Sequence, residues 1–295
     1  MSNLNQCRSQ RLISARLTIC LITSYLLAFS ARADEQLWGW VIGAETLPKD
    51  KWELYQFLTL REGKNAGSYH ALDSETEAEY GVTDKFQMSL SLSGHYFDVK
   101  NVDGQENQDR GKFGGIETAA KYRFTSPFKD PVGIALKLNI GFLRNDDVGG
   151  IHQKELFVAP EIVFQKNFRD DTITLAANLG FQLAWGKRPA EEYDRELSLT
   201  AGLAASYRFA PNWFIGVESH YVGEWPHFRA NAPFNTYEHQ VIYAGPAIHY
   251  GAKRWWTTLA YNYQVWGNEI DPVVRRKAYA EEQTQQLRLK VGLNF

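Results

Sequence analysis

Beyond residue 50 the chain alternates apolar and polar side chains with a period of two, in one segment after another. In "FQMSLSLSGHY", Phe86, Met88, Leu90, Leu92 and Tyr96 alternate with Gln87, Ser89, Ser91, Ser93 and His95. "VGIALKLNIGF" and "ITLAANLGFQLAW" repeat the pattern, and no long 3.6-residue period competes with it. Successive strand residues point to opposite faces, so each segment has one oily face and one wet face. Twelve such segments fall at about 51–61, 70–82, 86–97, 113–124, 132–142, 154–165, 173–185, 196–209, 213–222, 237–250, 255–266 and 283–295.

The connections decide what such strands build. "VTDK", "TSPFKDP", "NFRDDT", "APN" and "GAKR" are short turns, and the links between them are longer and polar. A soluble sandwich has no reason to keep that alternation, whereas a membrane barrel has tight turns on one side and longer loops on the other. With the apolar face outward, Tyr96, Phe142, Trp185 and Tyr221 fall near the loop ends of their strands. Tyr80, Phe86, Tyr122, Phe124, Phe164, Phe209, Trp213 and Trp255 fall near the turn ends. Two aromatic rings separated by an aliphatic band match the two interfaces of a bilayer. The expected fold is all-β, a single-domain 12-stranded antiparallel transmembrane barrel over 51–295. An even strand number places both ends on the turn side.

Residues 1–33 are a different material. Arg8, Arg11 and Arg16 precede the apolar run "LTICLITSYLLAF", and Ala31 and Ala33 supply the small residues read at a signal-peptide cleavage site. Cys7 and Cys20 both lie in this segment, so the remainder makes no use of disulfides. Without these residues, which hold four arginines and no acids, the formal charge goes from −2 to −6, which argues against nucleic acid as a partner. Residues 34–50 form a periplasmic N-terminal segment in which "QLWGWVIGAE" either enters the lumen or lies at the inner interface through Trp38 and Trp40.

The chain finishes on "QLRLKVGLNF". Leu287, Leu289, Val291, Leu293 and Phe295 share a face, and Arg288 and Lys290 take the other. This terminus resembles the C-terminal strand of Gram-negative outer-membrane proteins, which implies an outer-membrane location and recognition by the barrel-assembly machinery. "ETLPKDKWELYQF" (45–57) resembles the entry to the first strand of an uncharacterised, porin-like family of outer-membrane barrels of unknown function.

The inward face is charged. Strand 2 presents Glu75, Glu77 and Glu79 in a row, strand 4 adds Glu117, Lys121 and Arg123, and later strands add Arg208, Glu218, Arg288 and Lys290. Mixed signs can pair and so limit the cost of enclosing charge. These residues are the expected path of a small polar or amphipathic solute, acting by electrostatic selection and water retention. Twelve strands lie between the side-chain-filled interior of about eight and the open channel of about sixteen. A closed structural or surface-interaction barrel is therefore the first alternative.

A lipid hydrolase is the second alternative. Ser93 and His95 share a face, and Ser219 adjoins His220, but the sequence identifies no third group and no oxyanion hole. Asp98, Asp103, Glu106 and Asp109 crowd one loop and Asn145, Asp146 and Asp147 another, without a calcium-loop pattern. No cofactor motif and no metal-ligand spacing is present. Outer-membrane lipid and lipopolysaccharide are the expected surroundings, with Arg275, Arg276 and Lys277 placed to meet lipopolysaccharide phosphates.

Overall fold

Each alternating segment becomes a strand: β1 (Trp52–Glu62), β2 (Ser68–Thr83), β3 (Phe86–Lys100), β4 (Gln108–Thr125), β5 (Gly133–Asn145), β6 (His152–Phe168), β7 (Ile173–Lys187), β8 (Asp194–Ala210), β9 (Trp213–Trp225), β10 (His239–Gly251), β11 (Trp255–Glu269) and β12 (Gln285–Asn294). Neighbours in sequence pair antiparallel, and β12 returns to pair with β1, closing the sheet. The computed structural model describes residues 36–146, 148–187, 194–227, 237–270, 276–280 and 282–295. Residues 1–35, with Ala31 and Ala33 of the expected cleavage site, lie outside the described residues, as do Asp147 and Arg275.

The β1–β12 seam runs from Glu53 opposite Asn294 to Glu62 opposite Gln285, and it sets Leu54, Leu58 and Leu60 against Leu293, Leu289 and Leu287. The Phe295 amide donates to the Trp52 carbonyl at 3.0 Å, which extends the seam to the last residue. A closed sheet leaves no unpaired backbone edge, as hydrocarbon requires.

The two faces separate as the alternation predicts. Leu203 (67% exposed), Val217 (62%) and Leu90 (55%) point out, while Ser89, Ser91, Lys121 and Lys290 are buried inside. An outward polar exception sits on β1, where Gln56 interrupts the apolar pattern. Its amide donates to Ser74 at 3.0 Å and accepts from Thr76 at 2.6 Å, so the trio meets its own hydrogen-bonding needs where lipid supplies none. At the turn end, Trp52 and Tyr80, Tyr122 and Phe124, Phe209 and Trp213, and Tyr250 and Trp255 pack in pairs.

Several strands run further on the loop side than the apolar pattern reaches. β3 continues to Lys100 and β4 begins at Gln108, so Asp98 and Asp109 stand on strands rather than in the loop. Above the hydrocarbon a strand needs no oily face, so its ladder can continue while the alternation stops.

Candidate functional site

Residues 36–45 lie inside the turn-side half of the barrel, where the wall supplies partners for their backbone, and 46–50 lead from there to the exposed start of β1. Glu218 on β9 accepts the amide protons of Gly39, Trp40 and Val41 at 2.9, 2.9 and 3.1 Å. Asn178 accepts from the Ile42 amide at 2.8 Å and donates to its carbonyl at 3.1 Å. Gln165 and Gln87 accept from the Ala44 and Leu47 amides, both at 2.6 Å. Cations take the carbonyls: Lys290 donates to Trp38 at 3.0 Å, Lys121 to Gly43 at 2.8 Å and Arg288 to Gly39 at 3.1 Å. Every one of these donors and acceptors comes from the wall's wet face, so an irregular segment crosses the interior with its backbone groups met.

The segment's apolar side chains are buried too. Trp38, Val41 and Ala44 have no exposed surface and Leu37 has 2%. Ala44 packs with Ala135 and Val163 of the wall, with Ile42 against them. Small wall residues make the room: a Cβ at Gly216 would stand 2.9 Å from the Trp38 indole nitrogen. At Gly39 a Cβ would meet Ala260 at 2.7 Å and a Glu218 oxygen at 2.8 Å, so only glycine allows that approach. Trp40 is held between the Arg288 guanidinium, 4.4 Å from its ring, and His220, stacked at 5.1 Å. His220 stacks in turn on Tyr243 at 5.1 Å.

Beside this plug lies a polar chamber of about 230 Å³. Glu75, Glu77, Glu117 and Glu161 line it on one account, and Lys137, Arg288 and Lys290 on the other, with Trp40 and Ile42 of the plug as part of its wall. Of the residues expected along a path, Glu75, Glu77, Glu117, Arg288 and Lys290 thus converge here. Glu218 and Lys121 face inward but hold the plug. Glu79 is buried and accepts from Gln87 at 2.8 Å. Arg123 and Arg208 sit below the chamber, donating to the carbonyls of Asp84 and Asp170 at 2.7 and 2.6 Å and so bracing two turns.

The loop-side end is narrowed from two directions. Tyr69, Phe97, Val99 and Val102 form a buried cluster. Over it residues 148–151 are held by Tyr69 donating to the Val148 carbonyl at 2.8 Å and Gln108 to Gly149 at 2.7 Å. From the other side the link before β12 folds in: Ala278 is fully buried, and the Gln283 carbonyl accepts from Tyr243 at 2.6 Å. In that link, burial alone would push the Glu282 carboxyl up. The hydrogen bond and charge of His239, with Lys64 and Arg61 nearby, hold it instead at about 2.

The third group that Ser93 and His95 lacked in the sequence is Asp73, directly across from His95 in the β2–β3 register. His95 Nδ1 lies 2.8 Å from Asp73, but the same carboxylate is clamped by Arg61 through two bonds of 2.7 and 2.8 Å. The Ser93 hydroxyl is buried without a hydrogen-bond partner among the described residues, so nothing there activates it. Ser219 points outward and donates to the Tyr243 carbonyl, away from His220. The arrangement is an ion-pair clamp across three strands rather than a nucleophile with its base. Two of the acids expected to crowd loops also have local employment. Asp98 pairs with Lys100 at 2.8 Å, and Asp146 accepts from the amides of Val148, Gly149 and Ile151 to fold its own turn. Lys277 lies over the Tyr263 ring, and Arg276 is exposed.

A family model matches residues 30–295, which span the plug and the whole barrel. The chain belongs to DUF6662, a family of unknown function. No curated protein matches the sequence. Among solved structures, the COG4313 outer membrane channel from Pseudomonas putida F1 is similar in fold, with 10% identity, a TM-score of 0.57, and coverage of 85% of this chain and 98% of that one. The β domain of the Bordetella autotransporter BrkA is similar too, with 10% identity, a TM-score of 0.55, and coverage of 84% and 100%. One is a channel and the other the β domain of an autotransporter. The shared feature is the architecture of outer-membrane barrels, and a fold alone does not carry a function.

Proposed function

We propose that this member of DUF6662 is a narrow passive channel of the Gram-negative outer membrane for a small polar or amphipathic solute, with its own N-terminal segment as the turn-side restriction. The observation that carries this reading is the charged chamber inside an otherwise lipid-facing cylinder. A barrel needing only rigidity gains nothing from keeping four carboxylates and three cations around water-sized space. Near-balanced charge favours a solute that is neutral and polar or carries both signs over a simple ion. In this reading the first 33 residues direct export and are cleaved, lipid and lipopolysaccharide surround the barrel, and the barrel-assembly machinery reads Leu287, Leu289, Val291, Leu293 and Phe295.

Purified protein in a planar bilayer tests the channel. Small conductance steps are expected, and with Glu75→Gln and Glu77→Gln together the reversal potential in a salt gradient shifts toward anions, because the cations then outnumber the remaining carboxylates. The plug favours one rival reading, a permanently closed barrel. Absence of steps at any salt concentration, from the intact chain and from a chain lacking the plug, would establish that rival. Removing Phe295 is expected to lower the fraction of chain that reaches the heat-modifiable barrel form in cells while leaving refolding in detergent unchanged. Equal loss in both settings would assign the residue to stability rather than recognition.

A further inference from the structure

We propose that Glu224, His239 and Glu282 hold a divalent transition-metal ion at the loop-side mouth of the barrel. Glu224 lies near the end of β9, His239 opens β10, and Glu282 belongs to the inward-folded link before β12. One ligand atom from each lies within 4.8 Å of the other two, so small side-chain shifts would draw them into the spacing of about 3–4.4 Å that bonds of about 2.0–2.2 Å to one ion require. His239 is 4% exposed, with one ring nitrogen 3.2 Å from Glu282 and the other 3.9 Å from Glu224. The second of these, Nδ1, is buried with no hydrogen-bond partner among the described residues. One imidazole binds one ion through one nitrogen, so Nδ1, which faces Glu224, is the ligand atom, and Glu282 would complete the set by shifting from its contact with the other ring nitrogen toward that ion.

Imidazole with carboxylates suits zinc, copper or nickel better than calcium or magnesium, which prefer all-oxygen shells. Tyr243 gives the cluster an outer layer, its hydroxyl lying 3.2 Å from the second Glu282 oxygen while it donates to the Gln283 carbonyl. An ion there would fasten the last link to two strands it otherwise meets through hydrogen bonds such as that of Tyr243 to Gln283. The three positions stand far apart in the sequence, on two strands and a link, so no spacing motif announces them. The site is independent of whether the barrel conducts.

Calorimetric titration of refolded, metal-free protein with zinc chloride at neutral pH tests it, with heat-modifiable gel migration as the check on folding. One saturable equivalent is expected. His239→Ala, Glu224→Gln and Glu282→Gln should each weaken it by at least about tenfold. No saturable uptake by the intact barrel would overturn the proposal and leave the cluster an ion pair. Uptake that survives His239→Ala and Glu224→Gln unchanged would overturn it as well, by placing the zinc elsewhere. Should the histidine variant fail to fold, the two glutamine variants, which keep side-chain size, decide.

Discussion

A chain refolded from residue 46 onward, without the plug, is expected to conduct in steps severalfold larger than a chain refolded from residue 34. The plug fills the turn-side half of the lumen with Leu37, Trp38, Val41 and Ala44, and nothing in the barrel wall depends on it for strand pairing. The chamber would then open directly toward the turn side. Planar-bilayer recording at fixed salt reads the difference, and steps of equal size from both chains would mean that the loop-side constriction alone limits passage. Glu218→Gln is the single-residue version. It replaces an oxygen that accepts backbone amides with an amide NH2 group that opposes them, at a cost of about 2–3 kcal/mol, or a roughly 30- to 150-fold shift toward the undocked plug. Current through this variant is expected to flicker between the two step sizes.

Leu203→Arg is expected to destabilise the barrel by about 2–4 kcal/mol, the cost of a cation on the lipid face near the bilayer midplane. Leu203 is 67% exposed on the outward face of β8, part-way between the Tyr207 and Phe209 aromatics and the loop side. Guanidinium titration in lipid vesicles, followed by tryptophan fluorescence, measures it. If the outward arginine costs nothing, the apolar band does not contact hydrocarbon and the membrane reading falls.

How much of this could be read without coordinates differs by element. All twelve strands were legible, because a wall with oil on one side and water on the other imposes a period of two on every segment. The closure was legible as well, since Leu287 to Leu293 need a partner strand and only β1 lacked one. Strand ends on the loop side were less so, as the extra turns of ladder at Lys100 and Gln108 carry no oily face. The plug was foreseen only as one of two placements. "QLWGWVIGAE" has no period of its own, and its contacts come from Gln165, Asn178, Glu218 and Lys290, far along the chain. A signal was nonetheless present: inward positions such as Ala135 and Gly216 are small where a water-filled wall has no need of smallness. Asp73 escaped for a related reason, since its partner His95 is a neighbour across strands and not along one.

The seam between the first strand and the last has a consequence for biogenesis. Every other hairpin can zip up with a neighbour made moments earlier, but β1 must wait for residues at the opposite terminus. Until then two raw ladders stay available to any passing extended peptide, while a dozen greasy surfaces face solvent. A barrel of this design therefore keeps two open edges until its last strand pairs with its first.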